Sequence, residues 1–186
     1  MKRIKTRRRG GIGGALLSLV LVIAGLGLVW YALFGGHTAA ASVPTTASMK
    51  LTIPEMSRVK DAPVYTAPAS DESARNNGAL HVQGTGYPWQ SGANVYIAGH
   101  RLGYAGTGSY LLFFDLNKLK NGDELYLTDA NGTRYTYRVF RVFKVSPNDE
   151  SVTRPVPGKS IISLQTCTLP TYTQRLIVQG ELVSVS

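Results

Sequence analysis

From Leu51 onward the chain alternates short apolar runs with clusters of turn-forming residues. Leu51-Thr52-Ile53 stops at Pro54, and Ala62-Pro63-Val64-Tyr65 follows. Ala67 to Asn77 is polar, with room for a turn of helix. Ala79 to Gln83 and Asn94 to Ala98 read as strands on either side of Gly84 to Gly92, which carries glycine and proline. Leu111 to Lys120 places apolar residues at helical spacing and stops before Asn121-Gly122. Glu124 to Thr128 and Arg134 to Val145 flank Asp129-Ala130-Asn131-Gly132-Thr133, a hairpin turn in which Asn-Gly supplies positive φ. On the second arm Tyr135, Tyr137 and Val139 alternate with Thr136, Arg138, Phe140 and Val142, so both faces carry apolar residues. That pattern predicts a central strand of a closed or doubly covered sheet. Ile161 to Cys167 and Arg175 to Val183 are two further strands, joined by seven residues that include Pro170. Many strands and little helix predict an all-β domain, a small β-barrel, over residues 51–186. About 135 residues suffice for one sizeable core.

The chain before Leu51 is built differently. Gly11 to Phe34 is 24 residues without a charge, long enough for a tilted transmembrane helix. Trp30 and Tyr31 stand near its far end, where amphipathic aromatics favour the membrane interface. Lys2, Arg3, Lys5, Arg7, Arg8 and Arg9 precede it, so the positive-inside rule keeps residues 1–10 in the cytoplasm and exports the rest. A cleaved signal peptide is the rival reading, with Ala39-Ala40-Ala41 as a cleavage site. An apolar core of 24 residues exceeds the ~7–15 usual in such peptides and favours an uncleaved anchor. Residues 35–50 are small, polar and aperiodic, the composition of a linker.

The formal net charge of +9 would suggest a nucleic-acid partner if it were spread over the folded part. Six of those cations sit in the N-terminal tip instead, and no comparable run follows. The charge is explained by the membrane, and a nucleic-acid partner is excluded as the reason for it.

Cys167 is the only cysteine, so no intrachain disulfide is available. It is a buried inert thiol, half of an intermolecular bridge, or a reactive nucleophile. Arg175 opens the next strand, and a cation beside a thiol favours the attacking thiolate. Three histidines could serve as its partner. His37 lies in the linker, and His81 sits mid-strand among apolar neighbours, a structural setting. His100 follows Ala98-Gly99 at a strand end, where a side chain can reach a site at the sheet edge.

Taken in order, Ile97-Ala98-Gly99-His100-Arg101, Leu164-Gln165-Thr166-Cys167 and Arg175 resemble the motifs of the sortases, membrane-anchored cysteine transpeptidases of mainly Gram-positive bacteria. The similarity runs from Leu51-Thr52-Ile53-Pro54 through Gly122-Asp123 to the last strand. It implies an eight-stranded sortase-like β-barrel with short helices. It also implies Cys167 as nucleophile, His100 as general acid/base and Arg175 as the cation that meets the oxyanion or positions substrate. Ala98 and Thr166 match positions that line the groove for the sorting signal. Gln165 stands where relatives often carry Thr or Ser. The closing stretch Arg175 to Leu182 and the His100-Arg101 pair look most like class E sortases of high-GC Gram-positive bacteria.

The reaction implied is cleavage of an LPxTG- or LAxTG-like signal between Thr and Gly, through a thioester, with transfer to an amine of a cell-wall precursor. Its partners are secreted proteins bearing a C-terminal sorting signal, and its location is the cell membrane with the domain outside. No cofactor is implied, and no Cys/His cluster has metal-ligand spacing. Two other readings fit an exported, β-rich chain with one cysteine. An L,D-transpeptidase usually carries Ser/His-x-Gly before its cysteine, and Ser163 to Cys167 does not match that. A non-enzymatic, membrane-tethered binding module would leave Cys167 incidental.

Overall fold

Strands β1 (Met49–Thr52), β2 (Ala62–Ala67), β3 (Ala79–Val82), β4 (Asn94–Ala98), β5 (Glu124–Asp129), β6 (Arg134–Val145), β7 (Ile161–Cys167) and β8 (Arg175–Val185) close on themselves. Their order around the barrel is β1-β2-β3-β4-β7-β8-β6-β5. The computed structural model describes residues 43–186. The basic tip, the apolar segment Gly11 to Phe34 and the start of the linker lie outside the described residues. No helix among the described residues is long and apolar enough to cross a membrane. The first strand begins at Met49, ahead of Leu51, because Met49 and Leu51 both point into the core.

Two pairings in the barrel are parallel, β2 with β3 and β4 with β7; the others are antiparallel. β4 is buried at every position and β7 at most of them, as strands covered on both faces should be. The interior is filled by alternate residues of each strand, among them Leu51, Ile97, Leu127, Tyr137, Ile162 and Val178. Gly180 belongs where β8 passes the centre. A Cβ there would meet Tyr137, Leu125 and Ile162 at 3.1–3.3 Å.

β6 is, as expected, a central strand of a closed sheet, paired with β5 and β8, and its two apolar faces come from a change of face along its length. Tyr135, Tyr137 and Val139 face the interior, then the ladder with β8 shifts between Val139 and Arg141. Phe140 is the extra residue, and a bulge of this kind reverses which side chains face which way. Beyond it Phe143 and Val145 pack on a second, external cluster formed by Tyr96, Val152 and Ile177. The apolar residues on both alternations therefore serve two cores in succession.

Leu111 to Lys120 is not the helix its periodicity suggests. Leu112, Phe113, Leu116 and Leu119 are buried as the spacing requires, but the backbone runs in successive i→i−3 turns. Only Leu116–Lys118 forms a short 3₁₀ helix. Leu111 at φ 54° breaks helical continuity at the start. The hairpin after β5 does form, and Asp129 organises it. One carboxylate oxygen accepts from the Asn131 and Thr133 amides at 2.9 and 3.0 Å, and the other from the Tyr135 hydroxyl at 3.1 Å.

His81 is a structural residue. Its Nε2–H donates to the Gly86 carbonyl (3.0 Å), which leaves Nδ1 to accept from the Thr66 hydroxyl (3.0 Å). The ring is fully buried, and burial lowers its pKa against the opposing pull of the Gly86 bond. A depressed histidine pKa means the unfolded chain binds the proton first. Stability from this group is therefore complete above the unfolded value of about 6.5 and is lost as pH falls toward the folded one. Thermal denaturation should show the midpoint dropping as pH falls below about 6.5. In His81→Asn that slope should flatten, while overall stability falls by roughly 1–3 kcal/mol from polar groups left unpaired. An unchanged slope would exclude His81 as its source.

Candidate active site

The outer face of the β4, β7 and β8 ladder forms the floor of the site. Alternation puts Tyr96 and Ala98 of β4, Ser163, Gln165 and Cys167 of β7, and Arg175, Ile177 and Gln179 of β8 on that face. Cys167 and Arg175 are direct partners across the antiparallel β7–β8 ladder, so their Cα atoms are about 4.5–5.5 Å apart. In the parallel ladder Ala98 pairs with Gln165. The pairing continues past the formal end of β4: the Gly99 amide donates to the Gln165 carbonyl (2.9 Å) and the Thr166 hydroxyl to the Gly99 carbonyl (2.8 Å). Two residues of continued register bring His100 alongside Cys167. The backbone positions of the three residues thus lie together at one end of the barrel.

Gly99 permits this approach. A Cβ on it would lie 2.6 Å from the Phe113 ring, beneath the site. The Phe113 amide in turn donates to the His100 carbonyl (3.2 Å).

His100 is half-buried, and its imidazole is oriented from helix α1 (Glu72–Asn77). Nε2 lies 3.0 Å from Asn76 Oδ1, so Nε2 carries the proton and Nδ1 is the lone-pair nitrogen. Tyr104 meets the ring edge-on at 5.6 Å between centroids. Burial lowers the pKa of His100, Arg75 lowers it further, and the Glu72 carboxylate 3.9 Å away raises it. The ring is therefore a weaker base than free imidazole, and its protonated form gives up a proton readily.

Arg175 is held by its own loop. Nη1 donates to the Tyr172 and Gln174 carbonyls at 3.2 and 3.3 Å. No carboxylate pairs with it among the described residues, so its charge is available to a ligand. Cys167 is half-buried and carries a free thiol.

Ala98 lies on the floor beside Gln165. The Thr166 side chain is buried on the face of β7 shared with Ile162 and Leu164, its hydroxyl engaged by Gly99. Three contributors were not legible in the sequence. Tyr96 donates its hydroxyl to Gln165 Oε1, which fixes the Gln165 amide on the floor two residues before Cys167. Asn76 holds His100 from a polar segment with no motif. Asn94 Nδ2 donates to the Val152 and Arg154 carbonyls, both at 2.9 Å, and so pins the 3₁₀ helix Glu150–Thr153 that places Val152 against Tyr96 and Ile177. Each acts through a pairing of distant segments, which no local pattern announces. Among the described residues no three His, Cys, Asp or Glu side chains gather as a metal site.

A family model, the sortase domain, matches residues 51–183. The chain belongs to the sortase family. Curated sortases align with it over part of their length. Sortase A of Streptococcus agalactiae serotype III (strain NEM316) is 40% identical over 89 residues, 48% of this chain and 36% of that relative. Sortase A of Bacillus anthracis is 37% identical over 91 residues, 48% of this chain and 40% of that relative. The matches thus cover well under half the length of these curated relatives. Solved sortase structures superpose on the barrel. Sortase A from Corynebacterium diphtheriae, as a lid mutant, gives a TM-score of 0.65 at 26% identity over 78% of this chain and 74% of that one. Sortase C-1 from Actinomyces oris gives 0.63 at 29% identity over 73% of each chain.

In this sortase the environment of His100 is testable apart from activity. Asn76→Asp places a carboxylate at the ring and should raise the His100 pKa, since an opposite charge favours imidazolium. Glu72→Gln removes the one raising influence and should lower it. NMR titration of the imidazole protons checks both, and shifts of the opposite sign would contradict this arrangement.

Proposed function

We propose that this sortase is a membrane-anchored cysteine transpeptidase that cuts an LPxTG- or LAxTG-like sorting signal between Thr and Gly. The observation that carries the reading is the convergence of Cys167, Arg175 and His100 at one barrel end, through the continued β4–β7 register and the β7–β8 pair. The thiol proton passes to His100 Nδ1, and the sulfur attacks the threonine carbonyl carbon. The developing oxyanion is met by the free edge of the Arg175 guanidinium. The C–N bond then breaks as His100 returns its proton to the leaving glycine amine. A thioester on Cys167 remains until an acceptor amine attacks it. That amine gives its proton to His100, and the thiolate leaves. No step requires a metal.

Ala98 and Gln165 supply the floor under the signal, and Thr166 holds the β4 end that carries His100. The acceptor is an amine of a cell-wall precursor, and the donors are secreted proteins with a C-terminal sorting signal. Gly11 to Phe34 anchors the enzyme with its domain outside the cell, which confines enzyme and tethered substrate to one surface and raises their effective concentration. The His100-Arg101 pair and the Arg175 to Leu182 stretch favour class E.

The test is peptide cleavage and amine exchange by the full chain in detergent. Cys167→Ala should abolish exchange while the barrel stays folded, since a small apolar side chain replaces a small apolar-like one. His100→Ala should also lose turnover. Arg175→Lys keeps the charge but not the planar fork, and the expected loss is about 10²–10³ in rate. Exchange surviving in Cys167→Ala would end the transpeptidase reading, and near wild-type turnover in Arg175→Ala would remove Arg175 from it.

A further inference from the structure

The outward stripe of side chains that includes Arg175 continues along the barrel. Ile177 and Gln179 follow on β8, facing Phe143 and Arg141 across the β6–β8 ladder. Where the stripe reaches Gln179, a cavity of about 340 Å³ opens. Arg141, Lys144 and Arg154 line it together with the single carboxylate of Asp149.

The charges in this cavity are unevenly committed. The three cations are exposed and form no ion pair among the described residues. The Arg141 guanidinium lies over the Phe143 ring, 4.0 Å from its centroid, which holds it in place without neutralising it. Asp149 is occupied in capping the 3₁₀ helix. One of its oxygens accepts from the Ser151 amide (3.0 Å) and hydroxyl (2.6 Å), and these bonds lower its pKa. The cavity is therefore anion-seeking. Its remaining lining includes Phe143, Val152, Pro155 and Val156, apolar surface suited to the methylenes of a side chain rather than to a bare phosphate.

We propose that this cavity is a subsite for an acidic side chain of the protein substrate, just upstream of the sorting signal; the proposal rests on the transpeptidase reading above. Arg175 to Gln179 is four strand residues, about 13 Å at 3.3 Å per residue. Ile177 on that line is buried beneath Val152, Phe143 and Val145. An extended peptide bound through its threonine at Cys167 therefore runs over the surface of that cluster and covers the distance in four further residues. The residue over the cavity is then the fifth before the cut, immediately preceding Leu-Pro-x-Thr. A glutamate there meets Arg141 and Arg154, and a lysine there is repelled.

The experiment uses the full chain with peptides carrying Glu, Gln or Lys directly before Leu-Pro-Ala-Thr-Gly, and the same set before Leu-Ala-Ala-Thr-Gly. KM for amine exchange should be lowest for Glu and highest for Lys, with a spread of about three- to tenfold for exposed charges. High salt should compress that spread. Arg141→Glu should reverse the order, and Arg154→Glu is the independent second variant should the first disturb the Phe143 packing. Equal KM for the three peptides, with exchange intact, overturns the subsite and leaves the transpeptidase reading standing. A preference that survives both charge reversals overturns it as well, and so does inhibition by polyphosphate without any peptide preference. Exchange with none of the peptides overturns the transpeptidase reading and the subsite together.

Discussion

The parallel pairing of β4 with β7 is the constraint on which the site depends. In a parallel pair both strands end at the same edge of the sheet, so His100, the second residue after β4, and Cys167, the last of β7, become neighbours although 67 positions separate them. The antiparallel return into β8 then brings Arg175 back opposite Cys167. A slip of one residue in either ladder would turn Cys167 or Arg175 to the opposite face. What resists the slip is burial. Val95, Ile97, Ile162, Leu164, Leu176 and Val178 fill the interior from these three strands, and each would be expelled by a shift. The chemistry is thus located by apolar side chains that take no part in it.

Orientation at the site comes from polar contacts, most of them between distant segments and, for Arg175, within its own loop. Asn76 sets the imidazole tautomer, the Tyr172 and Gln174 carbonyls hold one edge of Arg175, and Thr166 fastens Gly99 to β7. Asn94 does the same for the 3₁₀ helix, tying the Val152 and Arg154 carbonyls to the start of β4. Each contact settles the position of a side chain or short segment on a barrel whose register the apolar core already fixes.

Much of this was legible in the sequence. The strand-length apolar runs, the Asp129 to Thr133 hairpin and the Cys167–Arg175 relation across a short loop all follow from local patterns, and all appear in the barrel. His81 could be set apart from His100 because it sits mid-strand, and its ring is indeed fully buried and bonded on both nitrogens. What was misread or missed lies in geometry that local patterns do not show. Leu111 to Lys120 has the burial period of a helix because 3₁₀-type turns also return every third residue to one side. The apolar residues of β6 alternate on both faces because a bulge, invisible in composition, switches the strand from the inner core to the outer cluster. Asn76, Asn94 and Tyr96 carry no pattern at all, since their roles exist only once segments far apart in sequence have met.

The central claim is that Cys167 forms a covalent acyl bond with a sorting peptide, with Arg175 and His100 beside it. Intact-mass spectrometry of the chain incubated with a Leu-Pro-x-Thr-Gly peptide, in the absence of an acceptor amine and quenched in acid, tests this directly. The account predicts an adduct equal to the peptide up to its threonine carbonyl, mapped to Cys167 and released by hydroxylamine as expected of a thioester. An adduct on any other residue, or cleavage between Thr and Gly with no adduct at Cys167 under any quench, would contradict it.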